Sequence, residues 1–104
     1  MDEQRKELIR AIEREWFMDT GFLGKVREGA FDVKEGDQFV QFLDAIRLPE
    51  QDEIDRRLVS LLWYIPIFLS WQKERVVERG GDAEEFTRLT DRALASVQRI
   101  LGVP

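Results

Sequence analysis

The sequence predicts an all-α, single-domain four-helix bundle, residues 1–104, whose third helix (51–79) is central and kinked at Pro66. Three observations predict it. An apolar and aromatic run covers 58–71, broken only by Ser60, Pro66 and Ser70 and bounded by charged residues on both sides. Three other segments carry apolar residues at helical spacing. Alternation with a period of two, the mark of a half-buried strand, does not persist anywhere.

The first helix is expected over 2–18, with Leu8, Ile9, Ile12 and Trp16 on its buried face. Gly21 is expected to end it in the left-handed conformation, with Phe22 folding back on Phe17. Residues 22–33 contain Gly24 and Gly29, each costly inside a helix. They read as a packed connector with one short helical turn. Phe22, Leu23 and Phe31 are its candidates for covering the central helix.

The second helix is expected over 34–47. Asp32 and Glu35 form a capping box, and Phe39, Phe42, Leu43 and Ile46 have the spacing of a core face. Pro49 is expected to stop the chain from continuing as helix. In the third helix, Asp52, Glu53 and Asp55 are expected in the first turn, where the helix dipole favours carboxylates. The fourth helix is capped by Asp82 with Glu85, and buries Phe86, Leu89, Ala93, Val97 and Ile100.

The central run covers 14 positions, whereas a membrane-spanning helix needs about 20 apolar residues. A buried core helix is the expected reading. Placed on a helix, Ile54, Leu58, Leu61, Leu62, Ile65, Leu69 and Val76 form one broad face. Val59, Trp63 and Ile67 point the opposite way, with Tyr64, Phe68 and Trp71 on the flank. A helix that is apolar nearly all round must be covered on more than one side. The second stripe, Val59, Trp63, Ile67 and Trp71, is therefore a candidate interface.

Composition narrows the chemistry. Histidine and cysteine are absent, which removes the commonest general base and zinc sites built from those residues. No phosphate-binding glycine loop or calcium loop is present. Neither an enzyme, a metal ion nor a cofactor is expected. The net charge is −5, which disfavours a nucleic-acid backbone as partner. The charge is uneven: between 28 and 55 there are nine acids and two bases. Helix capping explains several of these acids, and Asp37, Asp44 and Glu50 are the least explained.

The expected function is a small acidic cytoplasmic protein-interaction module of the regulatory or toxin-neutralising type. It would bind a basic protein partner through Asp37, Asp44 and Glu50. The alternatives are a homodimeric bundle joined through the apolar stripe, or a binder of apolar small molecules beside Pro66, lined by Tyr64, Phe68 and Trp71. The N-terminus lacks an apolar signal segment. No membrane contact is expected.

Overall fold

The computed structural model describes residues 3–48 and 53–104. Its helices are α1 (Glu3–Phe17), α2 (Phe22–Arg27), α3 (Val33–Asp44), α4 (Arg56–Trp63), α5 (Ile65–Glu78) and α6 (Ala83–Leu101). Four of the expected elements are recognisable at once. These are α1, α3, the α4–α5 pair and α6, with α2 as the short turn in the connector. Among the described residues there is no strand, and no helix is long and apolar enough to cross a membrane.

The α4–α5 pair is central. It packs against α1, α2 and α6, while α3 lies on α6 and α2. The core is one continuous cluster, with Ile12, Leu23, Leu58, Leu62, Ile65, Leu69, Val76, Phe86 and Ala93 all fully buried. All the aliphatic residues assigned to the main face of the central helix are buried, apart from Ile54, which is partly so.

The caps follow the sequence. Asp32 accepts a hydrogen bond from the Glu35 backbone N–H at 2.9 Å, and Asp82 does the same for Glu85 at 2.9 Å. The boundaries of the third helix differ from expectation. It begins at Arg56, so Asp55 is the cap, accepting from the Arg57 N–H at 2.8 Å. Glu53 precedes the helix, and Asp52 lies outside the described residues. The break falls at Tyr64, and Pro66 sits in the first turn of α5. Proline is tolerated there because the first N–H groups of a helix have no partner within it. Tyr64 stays in the right-handed region (φ −79°, ψ −16°), but its N–H donates to the Leu62 carbonyl instead of the carbonyl four residues back, which ends α4.

Gly21 departs from expectation. Its φ is −73° and its ψ 148°, an extended conformation that caps α2. Phe22 does not return to Phe17. It stacks on Phe39, with ring centroids 4.9 Å apart, and Phe17 stays 63% exposed. Glycine is required at 21 by proximity. A Cβ there would lie 2.7 Å from the Glu15 Cα and nearer still to the carbonyl oxygens of Arg14 and Glu15. Helix α3 ends at Asp44, before the expected boundary, and Pro49 lies outside the described residues.

Candidate protein-interaction face

The junction of α4 and α5 organises the surface around it. Trp16, on the inner face of α1, is 5% exposed. Its indole N–H donates to the Leu61 carbonyl at 2.9 Å. Its ring stacks on Tyr64 at 6.0 Å and meets Phe68 edge-on at 4.9 Å. Trp16 therefore packs on both Tyr64 and Phe68, beneath the junction of α4 and α5. Tyr64 in turn meets Trp63 at 5.5 Å and Trp71 at 5.9 Å, both edge-on.

Outward from Tyr64 the chain leaves its aromatic groups uncovered. Trp63 is 49% and Trp71 67% exposed, and Val59 and Ile67 are partly exposed. None of the connector residues expected to cover this stripe does so. Phe22 and Leu23 are buried in the core, and Phe31 packs on Phe86 at 5.0 Å. Burying what remains exposed of the two indoles would contribute on the order of 5 kcal/mol. Phe17, at the end of α1, adds another exposed ring. The Arg57 guanidinium lies over it at 5.9 Å while bonding to Glu13 at 2.8 Å. The sequence reading missed Phe17, assigning it to a local turn. Its place after the buried Trp16 was the available signal.

The acids singled out in the sequence have partners inside the fold. Asp37 pairs with Arg92 at 2.7 Å, each side chain being nearly half exposed. Asp44 accepts from the hydroxyl of Ser96, itself 4% exposed, at 2.5 Å. Both bonds tie α3 to α6. Glu35 accepts from Lys25 at 2.5 Å, linking α3 to α2. Glu50 lies outside the described residues. Arg75 donates to the Arg27 carbonyl at 2.8 Å, which fixes the C-terminal part of α5 to α2.

A second surface feature was not expected. An open cleft of about 340 Å³ lies between α1, α2 and α3, with Phe22, Phe39 and Phe42 along it and Glu15, Lys25 and Glu35 at its polar side. Burial, the largest influence, pushes the Glu15 carboxyl above its ordinary range, opposed by the backbone N–H of Phe22. A raised carboxyl pKa means that the folded state takes up a proton more readily than the unfolded chain. The resulting stabilisation is present at low pH and lost as pH rises through the folded-state value. At neutral pH the charge on Glu15 is therefore a burden. Glu15→Gln should melt above the native protein at pH 7, with the difference vanishing on acidification. A melting curve that is unchanged or lowered at pH 7 would contradict this account.

Among the described residues, no buried side-chain nitrogen or oxygen lacks a partner, and no group of three or more acids is placed to hold a metal ion. Compared with models of known protein families, with curated proteins and with solved structures, the chain matches none.

Proposed function

We propose that this chain is a non-enzymatic protein-interaction module whose docking face is the stripe Val59, Trp63, Ile67 and Trp71. The observation that carries the reading is the exposure of Trp63 and Trp71 (49% and 67%) on the helix that also forms the core. Tryptophan and tyrosine dominate the energetics of protein interfaces, because a rigid ring contributes a large area at little entropic cost. Two such rings braced by a third suit an anchor. The absence of cysteine suits a cytoplasmic protein.

The acidic face of α3 is a second reading. Asp37 remains nearly half exposed while paired with Arg92, and the chain carries a net charge of −5. A basic partner could engage this face by exchanging ion pairs.

Photo-crosslinking separates the two. A benzophenone side chain is placed at position 71 on the stripe, at position 41 on α3, or at position 98 on α6, and irradiated in the cell that makes the protein. The expected result is one discrete crosslinked protein from position 71. Crosslinking from 41 alone would move the docking face to the acids. No difference between 71 and 98 would remove the stripe as a docking face.

A further inference from the structure

Taking the stripe to be a docking face, as above, we propose that its occupant is a second copy of this chain, packed antiparallel across a two-fold axis at Ile67. A two-fold interface is self-complementary: if one residue meets another, the second meets the first. For antiparallel helices crossing at Ile67, residues equally far before and after it are partners. Trp63 lies four positions before and Trp71 four after. Each indole would meet the other indole of the facing copy. Ser60 falls opposite Glu74, and Arg56 opposite Glu78. Each of these four polar residues is exposed. The stripe thus has a basic end and an acidic end, and the antiparallel arrangement brings opposite charges together at both.

The spacing supports a helix seam. Arg56, Ser60, Trp63, Ile67, Trp71, Glu74 and Glu78 follow one another by steps of four or three, which keeps them on one side of the helix, and the series of steps is the same outward from Ile67 in both directions, as a two-fold axis there requires. On both sides of the break at Tyr64 the residues of the line reach the surface, Trp63 before it and Ile67 and Trp71 after it.

The charges at its ends are placed against their own helices. Arg56 is the first residue of α4 and Glu78 the last of α5. The positive end of the helix dipole disfavours a cation in the first turn, and the negative end disfavours an anion in the last. Among the described residues neither of these two forms an ion pair within the chain. In the antiparallel pair each acquires a counter-charge from the other copy. A partner of unrelated sequence would not require this symmetry.

Light scattering and sedimentation across a dilution series at low salt should show a dimer that dissociates. Trp63→Ala and Trp71→Ala should abolish it while the helix content stays unchanged. Arg56→Glu and Glu78→Arg should each weaken it about tenfold, since two exposed ion pairs per dimer turn repulsive. Both variants also correct a helix-dipole mismatch, so neither should melt lower as a monomer. The double variant R56E/E78R restores both pairs in the antiparallel register and should regain the native affinity. A dimer that persists in the single variants, or a double variant no tighter than they are, would overturn the register. A monomer at every concentration would overturn the dimer. If position 71 then still crosslinks to a different protein, the docking face stands without self-association. If it crosslinks to nothing, both readings fall.

Discussion

Trp16→Ala should lower the unfolding free energy by about 3–5 kcal/mol, and Trp16→Phe by about 1–2 kcal/mol. Trp16 is 5% exposed, and no other indole in the chain is buried. Alanine removes nearly the whole ring from beneath the α4–α5 junction, and Tyr64 and Phe68 lose a stacking and an edge-on partner. Phenylalanine keeps much of that volume but cannot donate to the Leu61 carbonyl, which Trp16 reaches at 2.9 Å. The difference between the two variants therefore separates packing from the hydrogen bond. Urea denaturation followed by circular dichroism measures both. A phenylalanine variant as stable as the native protein would show that the indole N–H contributes nothing. An alanine variant losing less than about 1 kcal/mol would show that the junction collapses onto the space, contrary to the partial relaxation usual in cores.

Gly21→Ala should be nearly as damaging, by more than about 2 kcal/mol, because relief requires backbone to move. The added methyl would press on the carbonyl oxygens of Arg14 and Glu15 and lie 2.7 Å from the Glu15 Cα. These are atoms of the last turn of α1, which cannot rotate away as a side chain would. Separating α1 from α2 would also disturb Trp16 and Phe22, both buried on either side of the contact. Gly80 is the control. Its φ is +90° and nothing lies within 4 Å of an added Cβ, so alanine there meets backbone strain alone, about 1–2 kcal/mol. Thermal melts of the two variants should place Gly21→Ala below Gly80→Ala. The reverse order would show that α1 and α2 separate easily, and that space is not what requires glycine at 21.

The helices are legible in the sequence because each buries one face, and a buried face imposes a period. Asp32 and Asp82 mark their helices because a cap is a local device, with its acceptor three residues from its donor. Gly21 misleads for the opposite reason. A glycine after a helix suits a left-handed turn, but here the need for it comes from α1 passing alongside. Phe17 could not be placed from a local turn, because Phe22 was drawn away by Phe39. The same distinction governs the acids. Asp37 and Asp44 lack an explanation in the sequence because their partners, Arg92 and Ser96, lie 55 and 52 residues onward. The outward stripe is readable as a surplus of apolar groups on one helix. That α1, α2 and α6 leave it open depends on how they pack.

Tyr64 joins two parts of the molecule that would otherwise be independent. Its inner side rests on Trp16 of α1, and its edges meet the outward indoles of Trp63 and Trp71. Whatever settles on the stripe and favours this bend also favours the seating of α1. By thermodynamic linkage, a disturbance that unseats α1 must weaken docking by the same free energy that docking contributes to holding α1 in place. The N-terminal helix, which presents little of the stripe itself, is in this way a remote control on its affinity.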